Sequence, residues 1–281
     1  MQAVKEIWRY SDLRFKIGFI ITLIFFVLAF VVYYIPHTDP FFVGTFPNRL
    51  PPSAQNLLGT TATGQDIFWL LINGIRNSLI IGLIVATIGT VVGVMVGLLA
   101  GFSGGALDRV LSVITDTFIV IPTLPILILI TSLTRGQASV LTMAITLSLF
   151  SWAWPSRQIR SLALSIRERD FIHTAWFSGE GTFQVITTEI LPFALPWSLS
   201  NFMNATLVAI AAESGLAILG LSPANLVSLG NMLQWARDRN AILMGDWIWV
   251  GSPIVATAVL FIGLFMLITG YNDYLQKKRG Q

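Results

Sequence analysis

The 281-residue chain is 54% hydrophobic and only 11% charged, with a mean hydropathy of +0.75 and a net charge of +3. Soluble domains carry roughly 25% charged residues, so this chain could not cover a water-facing surface. That excludes an ordinary cytosolic enzyme, a disordered chain and a secreted disulfide scaffold, and leaves an all-α integral membrane protein.

A helix needs about 20 apolar residues to cross the hydrocarbon core. After an N-terminal segment, 1–16, the run 17–35 is uncharged and reads as the first span. Residues 36–77 are polar and rich in proline and read as an external loop. The end of that loop, Gly64 to Gly74, has a helical pattern with Asp66 as its cap. Residues 78–281 form the remaining core. Its second span, Ser78 to Ala100, carries Gly89, Gly93 and Gly97 at four-residue spacing, one smooth face for close helix packing. The third, Val110 to Leu133, is interrupted by Pro122 and Pro125 and contains Asp116. A turn at Thr134–Gln137 leads to the fourth, Ala138 to Trp154.

Residues 157–189 hold the densest charge and read as a long aqueous loop. The fifth span, Ile190 to Ala212, has Pro192 and Pro196 in its first turns and Glu213 at its far end. Residues 214–246 read as a folded external loop with short helices, and Trp247 to Tyr271 as the sixth span, followed by a basic tail. With six spans, Arg49, Arg76, Arg135, Arg237 and Arg239 fall on one side and every other Lys and Arg on the other. The excess of basic residues puts both termini and the 157–189 loop in the cytoplasm. The same excess needs no nucleic-acid partner. Trp8, Trp152, Trp154, Trp247 and Trp249 sit at span ends and read as anchors in the lipid interface.

The 157–189 loop is far longer than the roughly 2–8 residues that join bundle helices. Within it Phe171, Ile172, Ala175 and Trp176 fall at helical spacing, and Gly179 and Gly181 then break the pattern. Two readings fit such an amphipathic helix: docking onto a soluble partner, or lying in the lipid interface. Asp116 and Glu213 are the ionisable groups at membrane depth, so both are pore or gate candidates. The alternative for each is a structural carboxylate bonded to a neighbouring helix. Cysteine is absent, and His37 and His173 alone cannot supply a histidine metal site. No Gly-Lys pair occurs, so no phosphate-binding P-loop can form.

The run Asp170-Phe171-Ile172-His173-Thr174-Ala175, then Gly179 and Ile190-Leu191-Pro192, resembles the EAA loop of ABC importer permeases, with His173-Thr174-Ala175 in the Glu-Ala-Ala slot. Gly59-Thr60, Gly64, Asp66, Gly74, Arg76, Ser78 and Leu79 are similar to the outer-loop signature of the second permease in dipeptide, oligopeptide and nickel importers. Thr61 and Gln65 replace an Asp and an Arg of that signature. Leu98 to Gly105 with Asp108, and Ala212 to Leu216 with Leu219-Gly220-Leu221, resemble two further motifs of the same family.

The resemblance implies the six-helix type I ABC importer permease fold, and half of a pore shared with a second, homologous permease. It further implies two ATP-binding subunits on the cytoplasmic face, an extracytoplasmic substrate-binding protein, and a place in a prokaryotic cytoplasmic membrane. The chain itself is then not an enzyme and binds no cofactor, ATP and magnesium being held by the partners. Asp170, Phe171, Ile172, His173, Thr174, Ala175, Trp176, Gly179 and Gly181 become the ATPase-coupling residues. Peptides are the expected cargo, with oligosaccharides or nickel as alternatives within the class. Outside it stands a secondary transporter, which would show inverted repeats and a buried ionisable cluster.

Overall fold

The computed structural model describes residues 12–133, 139–223 and 225–279. The expected turn at Thr134–Gln137, Arg135, Trp8 and most of the N-terminal segment lie outside the described residues. The described residues are helical apart from loops and a single bridge between Thr60 and Asp66.

The first helix, α1, covers Leu13–Phe30, followed by a single 3-10 turn at Val32–Tyr34. The spine of the molecule is α2, Ile67–Ser103. Its 37 residues make a rod about 55 Å long at 1.5 Å per residue. The helix starts where the sequence places its cap. Asp66 Oδ1 accepts from the backbone N–H groups of Phe68 and Trp69 at 2.8 and 3.2 Å. It therefore begins eleven residues before the expected span, and the last part of the 36–77 loop is its first three turns. Gly104 and Gly105, at φ +65° and +60°, end it.

The third expected span is two helices, α3 (Gly105–Val120) and α4 (Thr123–Leu133), meeting at an angle of 80°. Pro122 and Pro125 mark the break, as the missing N–H groups require. The fourth is shorter than expected: α5 covers only Val140–Ser151. A turn at Trp152 leads straight into α6, Ala153–Arg167.

The 157–189 segment is thus hardly a loop. Most of it is helix: the length of α6, then α7 (Asp170–Phe177), then the start of α8, Thr182–Ile218. Its arginines hide an apolar face. Ile159, Ala163 and Ile166 of α6 are buried against Leu98 and Phe102 of α2. The fifth expected span likewise starts eight residues early, with a π-helical stretch at Ile186–Ile190 just before Pro192. The 214–246 loop contains one helix, α9 (Leu229–Asp238), capped by Ser228. The last helix, α10, covers Trp247–Arg279.

Glycine governs the packing. The α2 stripe extends to Gly101, and a Cβ at Gly93, Gly97 or Gly101 would come within 2.6–2.7 Å of Pro155, Ser156, or Ala163 and Arg160 on α6. Only a residue without a side chain lets the two backbones approach this closely. Helices α1 and α10 are joined the same way: Gly18, Gly263 and Gly270 sit against Leu267, Ile21 and Phe15. These pairs run antiparallel, and Lys277 Nζ reaches Asp12 Oδ1 at 2.7 Å. The start of α1 and the end of α10 are therefore neighbours. That ammonium holds the Asp12 carboxyl below its usual range. Trp249, expected at the lipid interface, is instead buried with Ile67, Ala236 and Ala241.

Among the described residues, four helices are long and apolar enough to cross a membrane: α1 with its 3-10 turn, α2, α8 and α10. Counting the bent α3–α4 pair as a further crossing makes five, and α5 is a shorter apolar helix.

Candidate functional site

The amphipathic segment forms α7 where the spacing places it. Ile172 is fully buried and Ala175 nearly so, among Phe102, Ile166, Val185 and Ile186. Phe171 is half-buried and stacks on Phe193 of α8, with ring centroids 5.8 Å apart. Trp176 meets the edge of Phe102 at 5.8 Å. Helix α7 is thus clamped to the ends of α2, α6 and α8 by one face. The other face carries His173, Thr174 and Phe177. Phe177 is 92% exposed and Phe183, just beyond, is 80% exposed.

Gly179 ends this helix by a double closure. Its N–H donates to the Trp176 carbonyl at 3.0 Å, and the Glu180 N–H to the Ala175 carbonyl at 3.2 Å. The motif needs a left-handed residue, and Gly179 has φ +85°. A Cβ there would meet nothing, so the constraint is on the backbone. Gly181 lies in the following turn and starts α8. All the expected coupling residues therefore gather on one short helix and its closing turn. The spacing missed Phe177, which lies off the buried face; its cue is apolarity where a solvated helix would be polar.

Glu213 is placed differently from a pore residue. It is wholly buried and accepts from Ser228 Oγ at 2.7 Å, with Ser78 Oγ at 3.5 Å. Ser78 Oγ also accepts from the Leu229 N–H at 3.2 Å, and Ser228 Oγ from the Asn231 N–H. Nearby, Asn77 Nδ2 donates to the Val227 carbonyl at 2.7 Å. The carboxylate ties α2, α8 and the start of α9 together. Its surroundings are those of the structural alternative rather than an open pathway.

Asp116 is open instead. Its side chain is 57% exposed, lies 3.5 Å from Arg157, and borders a shallow groove with Val113, Val120 and Pro122. A stronger pair went unread in the sequence. Arg160 donates two hydrogen bonds to Asp108, at 2.6 and 2.8 Å, and locks α3 to α6.

The outer-loop signature proves to be a joint. Gly59 and Gly64 have φ +75° and +71°, and a Cβ on either would strike the carbonyls of Leu50 or Phe46. The replaced positions are internally satisfied. Thr61 Oγ1 accepts from the Gln65 N–H, and Gln65 Nε2 donates to the carbonyls of Pro40 and Phe41. Arg76 lies 4.2 Å over the Tyr33 ring and fastens α2 to the end of α1.

A cavity of about 440 Å³ lies between α2, α4, α5, the start of α6 and α8. Its walls include Leu127, Leu147, Trp154 and Val208, with Ser151, Asn201 and Asn204 as polar points, and among the described residues no charged side chain lines it.

Long apolar helices around an uncharged cavity, with an amphipathic helix clamped across their ends, define the membrane component of a transport system. A family model for "binding-protein-dependent transport system inner membrane component" matches residues 93–281. The chain belongs to that family and is a multi-pass protein of the cytoplasmic membrane. It is 32% identical over 259 residues to the oligopeptide transport system permease protein OppC of Lactococcus lactis subsp. cremoris, covering 86% of each chain. To the protein of that name from Mycobacterium bovis it is 31% identical, over 75% of this chain and 72% of the other. The dipeptide transport system permease protein DppC of Bacillus subtilis shares 28% identity, over 93% and 81%. Among solved structures, a chain of the MetNI methionine ABC transporter, in inward-facing conformations, has the same fold. Its TM-score is 0.51 at 18% identity, over 68% of this chain and 96% of that one.

Proposed function

We propose that this chain is the permease subunit of an ATP-driven importer of peptides. It crosses the membrane six times, with both termini cytoplasmic. It pairs with a second, homologous permease above two ATP-binding subunits, and receives cargo from an extracytoplasmic binding protein. The chain hydrolyses nothing itself and holds no nucleotide.

The observation that carries this reading is α7. It is clamped by Ile172 and Ala175 yet presents His173, Thr174 and Phe177 outward. A helix lying in the lipid interface would turn its apolar face to lipid, whereas Ile172 and Ala175 face protein here. In the proposed cycle, ATP closes the paired ATPases and carries α7 with them. Because α7 shares its core with α2, α6 and α8, these tilt as one body and turn the pathway from inward-facing to outward-facing. The Asp12–Lys277 contact supports both ends lying on one side, whichever it is. The names borne by the relatives favour peptide over oligosaccharide or nickel.

The cavity fits this role. A wall without charge has no fixed ionic partner for a peptide's ends, so cargo is passed on rather than retained. Asp116, exposed beside Arg157, is the carboxylate proposed to border the pathway.

The test uses the assembled transporter in proteoliposomes. Gly179→Val should lower ATP-driven uptake of a labelled oligopeptide at least tenfold while the complex still assembles. Gly179→Asn, which tolerates the left-handed conformation, should keep most of it. Unchanged uptake in Gly179→Val would refute the coupling role.

A further inference from the structure

Between α9 and α10 the chain makes a single compact turn that serves none of the roles above. Two helix closures stand back to back. At the end of α9, Ala241 N–H donates to Ala236 and Asn240 N–H to Arg237, both at 2.9 Å, with Asn240 at φ +52°. Five residues on, Asp246 N–H donates to Ala241 at 2.9 Å and Gly245 N–H to Ile242 at 3.2 Å, with Gly245 at φ +80°. Each pair is the double closure that normally ends a helix. Ala241 is buried between them, and Arg49 Nε pins the base through Asp246 Oδ2 at 3.0 Å.

The knob so fixed is apolar at its tip. Ile242, Leu243 and Met244 are 52%, 83% and 60% exposed. Trp247 and Ile248, at the start of α10, continue the same apolar surface. Rigid backbone holding three consecutive large apolar residues away from the protein is the opposite of what a water-facing turn requires. At the base Arg239 is exposed, and its side chain has no ion pair or hydrogen bond among the described residues.

We infer that residues 241–247 are a lipid-docking knob, seated at the boundary of headgroups and acyl chains in the leaflet where α10 begins. Three observations fix the occupant as phospholipid. The knob runs without a break into α10, whose apolar run begins at Trp247 itself, so its tip adjoins the bilayer that this run spans. It carries an apolar tip and an unpaired arginine at its base, the pattern that suits acyl chains below and phosphates above. It also lies apart from the uncharged cavity, none of whose lining residues falls within 241–247. The inference needs only that α10 spans the membrane; it is independent of what is transported.

The sequence contains no cysteine, so a single one can be introduced and labelled. Leu243→Cys and, as reference, Ala54→Cys in the exposed outer loop would each carry a bimane fluorophore. The full chain would be placed in nanodiscs of phosphatidylethanolamine and phosphatidylglycerol. Acyl chains brominated near their carbonyl ends should quench the label at position 243 at least about twofold more than the one at position 54, and aqueous iodide should do the reverse. A label at position 243 that iodide reaches as freely as the reference, with no effect of bromine, would overturn the inference. Protection from both quenchers would overturn it too, since protein would then cover the knob. Met244→Cys provides a second position, and neither readout depends on transport.

Discussion

Glu213 shows what a single residue decides. The sequence reveals a carboxylate at the edge of a span, and its depth alone says it must have partners. It does not reveal which, because Ser78 lies 135 residues away and Ser228 reads only as the cap of a short loop helix. Glu213→Ala should leave both hydroxyls without their acceptor in a sealed site, a loss of about 2–4 kcal/mol. The detergent-purified protein would then melt several degrees lower. Glu213→Gln keeps the shape and one acceptor and should lie between alanine and wild type. If alanine melts like wild type, the carboxylate is no fastener. Phe177 behaves oppositely. Being 92% exposed, it contributes little to the fold. Phe177→Ala should leave the melting temperature within about a degree yet weaken the stimulation of partner ATPase activity by cargo-loaded binding protein. A stability loss without a coupling loss would assign the ring to packing instead.

At the level of helices, the glycine stripe was plain in the sequence and its partner was not. Four-residue spacing shows a smooth face on α2, but nothing in the spacing names α6. The arginines of α6 drew attention away from Ile159, Ala163 and Ile166, so a packed helix read as an aqueous loop. Its charge is accommodated because Arg160 finds Asp108 and Arg157 lies 3.5 Å from Asp116. Gly97→Leu would drive a side chain into the Ser156 carbonyl and the Ile159 Cβ, 2.6 and 2.8 Å from its own Cβ. Overpacking of this kind costs about 1–3 kcal/mol or more. The variant should express poorly and lose the α2–α6 contact, read as trypsin cleavage within α6 under conditions that spare the wild type. Cleavage at the wild-type rate would mean that α6 is not held by this stripe. Proline positions were legible in the α3–α4 break, where backbone chemistry alone dictates the bend. The early starts of α2 and α8 were partly legible: Asp66 announced the first, while nothing marks the second, whose polar first turn looks like loop.

For the molecule as a whole, composition alone establishes a helical membrane protein, and the order of motifs establishes its family. How each span ends is less legible, since hydropathy measures length and not tilt or bending. That is why the fourth expected span reads as one apolar run in the sequence although its helix, α5, has only 12 residues. The contact between Asp12 and Lys277 gives the proposed topology a direct check. Single cysteines replacing Asp12 and Lys277 should both react with a membrane-impermeant maleimide only in inverted vesicles. Ala54→Cys should react only in right-side-out ones. Opposite sidedness of the two ends would eliminate an even number of crossings.

One last property follows from the length of α2. From Ser78, beside the Glu213 tie, to Phe102, against α7, is 24 residues of unbroken helix, or about 36 Å. A lever of that reach, pivoting by some 10°, sweeps its far tip through about 6 Å. In the proposed cycle, a rotation of that size imposed at the α7 end of α2 would therefore displace its opposite end by more than the pitch of a helix turn, with no intermediate moving part between them.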